Sequence, residues 1–220
     1  MGIKLENISK IYQTPHKKVE ILKNLSLEIH DKDMFVIFGP SGIGKTTLLN
    51  LIGGIDKPTS GKVLIDGIDL SILKSDELAK LRKEKIGFIF QMFNLLSNLK
   101  AKDNIILPIL LDKDMGKKIA WINEFASEIG IKERLDHLPQ ELSSGEQQRV
   151  AIMRAIINSP SIILADEPTA DLDDANAKKI IDILKGLNQK YGSTVVIATN
   201  DEKTASNFPI IYQMKKPVSC

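Results

Sequence analysis

Cysteine is nearly absent. Cys220, the last of 220 residues, is the only one, so no internal disulfide can form and folding does not call for an oxidising compartment. Long apolar runs are missing too. Residues 105–111 are interrupted by Pro108, and residues 162–165 are followed at once by Asp166 and Glu167, whereas a membrane-spanning helix needs about 20 mostly apolar residues. Neither sign of charge dominates. There are 30 Lys and Arg against 28 Asp and Glu, a net charge of +2, which gives no general reason to expect nucleic acid as a partner. Lys4, Glu6 and Lys10 among the first apolar residues argue against a secretory leader. No internal repeat or low-complexity segment occurs. A composition of 43% hydrophobic and 26% charged residues is ordinary for a soluble globular protein, and the length suits a large single domain or a core domain carrying a small insert. With neither a spanning segment nor a leader, the cytosol is the expected location.

The hydrophobic pattern changes character along the chain. Ile3, Leu5 and Ile8 suggest a short strand. Leu25, Leu27 and Ile29 alternate with Ser26, Glu28 and His30, the period of a half-buried strand. Residues 34–38 are continuously apolar, as in a parallel strand buried on both faces. A glycine-rich break follows, then a helical stretch over 45–52 that Gly53 and Gly54 can end. Residues 63–65 and 68–70 flank Asp66-Gly67, a hairpin signal. Ser75 is placed to cap a charged helix over 76–85. Residues 86–90 read as a strand, 98–158 as mainly helical, and 162–165 and 194–198 as strands flanking a helix over 174–191. The expected fold is α/β: a parallel core, an N-terminal antiparallel β portion and an inserted α-helical subdomain. The whole of 1–220 forms a single domain, with 1–91 and 159–220 as core and β portion and 92–158 as the helical subdomain.

Gly39-Pro40-Ser41-Gly42-Ile43-Gly44-Lys45-Thr46 fits G-x-x-x-x-G-K-[ST] in full. A triphosphate carries dense negative charge. Glycines let backbone N–H groups face its oxygens without side-chain obstruction, and the helix starting at Lys45 adds its positive end. Lys45 should reach the β and γ phosphates and the Thr46 hydroxyl should hold Mg²⁺; Thr47 follows in the same turn. The apolar run 162–165 ends in Asp166 and Glu167. Alone this is a strand entering an acidic turn. Beside a phosphate loop, Asp166 belongs near Mg²⁺ and Glu167 is placed to orient or deprotonate an attacking water.

Leu142-Ser143-Ser144-Gly145-Glu146-Gln147-Gln148-Arg149 resembles the signature motif of ABC ATPases, whose common form is L-S-G-G-Q. Other landmarks of that family occur in order. Tyr12 resembles its adenine-stacking aromatic, Gln91 its Q-loop glutamine, and Ala170-Asp171-Leu172-Asp173 its D-loop. The resemblance runs from Leu5 to about Met214. It is nearest to the branch serving macrolide exporters, lipoprotein-release complexes and the division-associated ATPase, on residues 48–54, 56–61 and 87–96.

The resemblance implies a phosphate-loop NTPase that binds ATP and Mg²⁺, with Gln91 joining the Mg²⁺ shell. It implies two copies closing head to tail, each offering Ser143 and Gly145 to the γ phosphate held by the other. It also implies an integral membrane partner docked at the helical subdomain, with the ATPase peripheral on the inner face of the cell membrane. The apolar group Phe93, Leu95, Leu96 and Leu99 is a candidate contact, or simply core. Ser143 and Glu146 also read as an ordinary capping box, and both readings can hold at once. A lone tyrosine such as Tyr12 more often packs than stacks on a base.

Three positions depart from the family pattern. Ser144 replaces the first signature glycine and Glu146 the glutamine. More consequential is Asn200, which stands where the family usually has a histidine after the last core strand; the last histidine here is His137. Asparagine can donate a hydrogen bond to a phosphate oxygen but cannot carry a proton or a positive charge. Intact ATP binding with slow hydrolysis is the expectation. Two other classes compete. One is a non-transport ABC ATPase acting on DNA or ribosomes. DNA-repair relatives need a long coiled coil, but only about 50 residues separate Gln91 from Leu142, and ribosome-associated relatives usually carry two ATPase domains where this sequence has a single phosphate loop. A small-molecule kinase with a phosphate loop would leave Ser143 to Arg149 unexplained.

Overall fold

The structure is a computed structural model that describes residues 2–13, 15, 17–110 and 115–215. Leu111 and Cys220 lie outside the described residues. The chain begins with β1 (Gly2–Gln13), β2 (Lys18–His30) and β3 (Met34–Phe38), then α1 (Lys45–Ile52), β4 (Ser60–Ile65) and β5 (Ile68–Asp69). Next come α2 (Ser75–Lys85) and β6 (Ile86–Ile89), followed by α3 (Ala101–Ile106), α4 (Met115–Glu128) and α5 (Ser144–Ile156). The chain continues with β7 (Ile162–Asp166), α6 (Asp174–Tyr191), β8 (Thr194–Thr199), α7 (Glu202–Ala205) and β9 (Ile210–Gln213). Among the described residues, no helix is long and apolar enough to cross a membrane.

An antiparallel sheet of order β2-β1-β4-β5 forms the N-terminal portion. Its first strand is longer than the pattern suggested. Ile3, Leu5 and Ile8 are all buried, although the step from 5 to 8 breaks the two-residue period. A bulge reconciles them: Asn7 takes a φ of 50° and the register shifts between Leu5 and Ile8, so the apolar face is regained rather than lost. Asn24 on β2, at φ 47°, forms the matching irregularity. Ser26 Oγ accepts the Asn7 N–H at 2.9 Å, and Ser9 Oγ accepts that of Asn24 at 3.0 Å. The Asp66-Gly67 hairpin is present, with φ of 51° and 82°, the mirror-type turn that matches strand twist. Leu70 is outside β5; it starts a short 3₁₀ turn in which the Asp69 carboxylate accepts the Ser71 N–H.

The second sheet is parallel, in the order β6-β7-β8-β3-β9. Successive residues of its inner strands point to opposite faces. Met34, Val36, Ile163, Ala165, Val195 and Ile197 join a core built with α3, α4, α5 and α6. Phe35, Ile37, Ile162, Leu164, Val196 and Ala198 join another built with α1, α2 and the antiparallel sheet. Two covered faces explain why these strands read as unbroken apolar runs.

Two local expectations change. Ser75 is the first residue of α2, not its cap: Lys74 occupies the cap position and donates its N–H to the Glu77 carboxylate at 2.8 Å. The strand over 86–90 stops at Ile89.

Candidate functional site

Parallel strands that neighbour one another end on the same edge of their sheet, and ligands bind at carboxyl ends in such folds. Here β3 runs into residues 39–44 and α1. Its neighbour β8 ends at Thr199, level with Phe38 and one residue before Asn200. Asp166, on β7, lies level with Ala198, and Glu167 follows. β6 stops two residues before Gln91. Four strands thus deliver residues from four distant stretches to one edge.

The loop between β3 and α1 needs glycine at Gly44, which has a φ of 109°. A Cβ there would stand 2.6 Å from Ile21 Cγ2. Gly42, at φ 77°, faces open space. No side chain caps α1 and no acidic residue lies in its first turn, so its N-terminal N–H groups are available to an anion.

Lys45 is buried beneath this loop. Its ammonium donates to the carbonyls of Gly39 at 2.9 Å and Pro40 at 3.3 Å, and pairs with Glu167 Oε1 at 3.2 Å. Glu167 has a φ of 44°, an uncommon backbone for a non-glycine residue, fixed by its N–H donating to the Ala198 carbonyl at 2.8 Å. The other Glu167 oxygen accepts the Asn200 backbone N–H at 3.2 Å, and Asn200 Nδ2 donates to Ser41 Oγ at 2.8 Å. Asn200 therefore bridges the acidic strand end and the loop.

Asp166 is 5% exposed. Burial raises its pKa against a hydrogen bond from the Thr46 hydroxyl; nearby Glu167 adds to the rise and Lys45 opposes it. Among the described residues its Oδ1 is buried without a hydrogen-bond partner. An oxygen left so is costly unless a ligand completes it. A carboxylate and an adjacent hydroxyl are hard oxygen donors suited to a hard cation.

Tyr12 stands beside α1, 40% exposed. Its hydroxyl donates to Asp56 Oδ2 at 2.8 Å and also meets the Thr47 hydroxyl. The Lys10 ammonium lies 4.8 Å from the ring centroid, and donates to Asp56 Oδ1 and the Lys57 carbonyl, each at 2.7 Å. The ring is thus held at its tip and along its flank. No sequence pattern links Lys10 to Asp56; the Lys10-x-Tyr12 spacing puts those two side chains on one face of β1.

Ser143, Gly145 and Glu146 lie apart from the loop. Among the described residues no hydrogen bond or ion pair joins them to residues 39–47. Ser143 caps α5, and its hydroxyl accepts the Glu146 N–H at 3.3 Å while the Glu146 carboxylate accepts the Ser143 N–H at 2.8 Å. Gly145 is required by packing: a Cβ would stand 2.8 Å from Asn176 Cγ on α6. The 170–173 segment is tied to the same place, since Ser144 Oγ donates to the Asp171 carbonyl at 3.4 Å.

The segment after Gln91 has no regular structure, yet two side chains hold it. Phe93 and Asn94 have φ of 57° and 49°, costly for non-glycine residues. Arg154, on α5, donates to both of their carbonyls, at 2.6 and 2.5 Å. Asn104, on α3 and fully buried, accepts the Leu96 N–H at 2.8 Å and donates to the carbonyls of Leu96, Leu99 and Lys100 at 3.1, 3.0 and 3.2 Å. Leu95 packs against the core. Leu96 and Met92 face outward, 48% and 75% exposed, so the apolar group divides between core and surface. Replacing Arg154 by Met should lower stability to chemical denaturation by about 1–3 kcal/mol and speed amide exchange over residues 91–96. Unchanged exchange there would show that the two hydrogen bonds do not hold the turn.

Comparisons with known proteins bear on the family. A family model described as ABC transporter matches residues 22–170. The chain is 45% identical over 211 residues to the uncharacterized ABC transporter ATP-binding protein MJ0796 of Methanocaldococcus jannaschii, covering 92% of this chain and 88% of that one. It is 41% identical over 212 residues to the lipoprotein-releasing system ATP-binding protein LolD of Buchnera aphidicola, covering 95% and 92%. It is 43% identical over 216 residues to the macrolide export ATP-binding/permease protein MacB 2 of Yersinia pestis, covering 97% of this chain but only 31% of that one. A solved dimeric post-hydrolysis structure of the MJ0796 cassette bound to ADP and Pi matches with a TM-score of 0.87 and 42% identity, covering 97% of this chain and 94% of that one. Sequence, fold and the assembled edge of the sheet lead to one conclusion: the chain belongs to the ABC transporter family, as an ATP-binding ATPase domain.

Proposed function

We propose that this chain drives a membrane ABC complex by binding and hydrolysing ATP between two of its copies. The observation that carries the reading is the convergence of Lys45, Asp166, Glu167 and Asn200 on the uncapped start of α1. The separate, phosphate-compatible start of α5 lies away from them. One copy therefore offers two half-sites that a head-to-tail pair would complete.

The β and γ phosphates of ATP lie in the 39–46 loop, and Lys45 exchanges its carbonyl and Glu167 partners for phosphate oxygens. The Tyr12 ring supports the adenine. Thr46 and Asp166, with its orphaned Oδ1, fit Mg²⁺, which binds through one or two carboxylates plus substrate phosphates; Gln91 completes that shell. When bound, Mg²⁺ neutralises charge on the phosphates. Glu167, released from Lys45, orients the attacking water and accepts its proton. Asn200 donates to the γ phosphate in place of the usual histidine. Ser143 and Gly145 of the second copy close over that phosphate from the other side. Residues 92–158 move as the helical subdomain and contact an integral membrane subunit through the surface around Met92 and Leu96, holding the ATPase at the inner face of the membrane. Named for lipoprotein release and macrolide export, the LolD and MacB relatives favour lipoprotein extraction or export as the output; the resemblance to the division-associated ATPase adds mechanical signalling.

Light scattering tests the pairing. The Glu167→Gln chain should double in mass on adding ATP and Mg²⁺, and a further Ser143→Arg change should keep it monomeric while nucleotide binding persists. A mass that stays single with ATP bound overturns the two-copy reading.

A further inference from the structure

The N-terminus of α5 already holds an anion of its own. Glu146 Oε2 accepts both the backbone N–H of Ser143 at 2.8 Å and its hydroxyl at 2.9 Å. These are donors that a phosphate at this helix start would take. The other carboxylate oxygen, Oε1, accepts from Arg134 Nε at 2.9 Å. Arg134 belongs to a short 3₁₀ turn over Lys132–Arg134, outside α5, and its Nη1 lies 3.4 Å from His137 Nε2. Burial alone would push the Glu146 pKa up, but the two Ser143 donors and Arg134 outweigh it and hold the carboxyl below its usual range. Where the signature usually has a neutral glutamine, this chain has a charged group touching the serine that is to meet a triphosphate.

We propose that Glu146 is a built-in competitor for the phosphate at Ser143, and that Arg134 is the positioning residue that neutralises it. The Arg134–Glu146 pair thereby sets how tightly two copies close on ATP. This rests on the two-copy reading above. Closure requires the Ser143 hydroxyl to turn from Glu146 toward the phosphate. The carboxylate then stays one hydroxyl away from a highly charged group. Arg134 offsets that repulsion from the side facing away from Ser143. A glutamine at the position keeps an amide oxygen to accept the Ser143 N–H, so the cap survives while the charge goes.

The test is a double-mutant cycle on the ATP-dependent dimer, in the Glu167→Gln chain with Mg²⁺ and ATP, read by sedimentation velocity over a concentration series. An exposed charge pair changes one site by about threefold. A symmetric dimer closes over two sites, so its dissociation constant should move by about tenfold. Glu146→Gln should tighten the dimer by that factor, and Arg134→Gln should loosen it similarly. The double variant should match Glu146→Gln alone, because Arg134 acts only through the carboxylate. A merely structural Arg134 would loosen the dimer in both backgrounds, and that result overturns the proposal. So does a Glu146→Gln dimer no tighter than its parent. ATP affinity of the monomer, set by residues 39–46, should not change in any variant. Should Arg134→Gln fail to fold, Arg134→Lys carries the same comparison with a smaller expected loosening. A parent that never dimerises with ATP sinks the two-copy reading and this proposal together. A parent that dimerises but breaks the cycle sinks the proposal alone.

Discussion

Replacing Asn200 by histidine is expected to raise steady-state ATP turnover by about 10²- to 10³-fold, the usual effect of one preorganised donor at a developing charge. The position is already built for a donor aimed at the loop. Asn200 sits one residue past β8, with its backbone N–H on Glu167 and its amide on Ser41 Oγ. What the amide lacks is the capacity to become cationic. An imidazole can, with an ordinary pKa of about 6.5. The Asn200→His chain should therefore gain a limb in its pH–rate profile near that value, and the parent should lack one. ATP affinity should stay within a few-fold, because Lys45 and the loop N–H groups are unchanged. A parent already as fast as histidine-bearing relatives, or a variant no faster than its parent, would show that charge at this position does not limit hydrolysis.

The Glu167→Gln change should have the opposite effect. Loss of a positioned general base lowers turnover by about 10²- to 10⁴-fold. Binding should not suffer. Glu167 holds the Lys45 ammonium at 3.2 Å, a pairing that competes with phosphate. A neutral amide releases Lys45, so triphosphate affinity should be equal or higher. Single-turnover phosphate release measures the first effect, and equilibrium titration with a fluorescent ATP analogue the second. Release within about threefold of the parent would remove Glu167 from the role of base.

Much of the site was legible because its residues are contiguous. The loop from Gly39 to Thr46 is encoded by its own glycines and by the strand and helix around it. The parallel strands could be read because burial on both faces leaves them no polar alternation. Partnerships across long sequence separations could not be read. Tyr12 is held by Asp56, 44 positions away, and Arg154 reaches Asn94 across 60. Only topology brings such pairs together. The resemblance offers Gly145 to the phosphate of the other copy, yet the lack of a side chain there also answers to Asn176, which a Cβ would crowd. The helix α7 and the edge strand β9 have four residues each, too few to display a period. The bulge at Asn7 has no signal beyond the irregular spacing it corrects.

The two grips on the segment after Gln91 have a mechanical meaning. Arg154 and Asn104 belong to α5 and α3, so their hydrogen bonds fasten residues 93–100 to those helices, and among the described residues none of these bonds reaches a strand. Ile89 is the last residue of β6 on the sheet side. Any tilt of the helices against the strands must then be absorbed by Phe90, Gln91 and Met92. A joint three residues long, with the glutamine at its middle, cannot flex without moving that side chain.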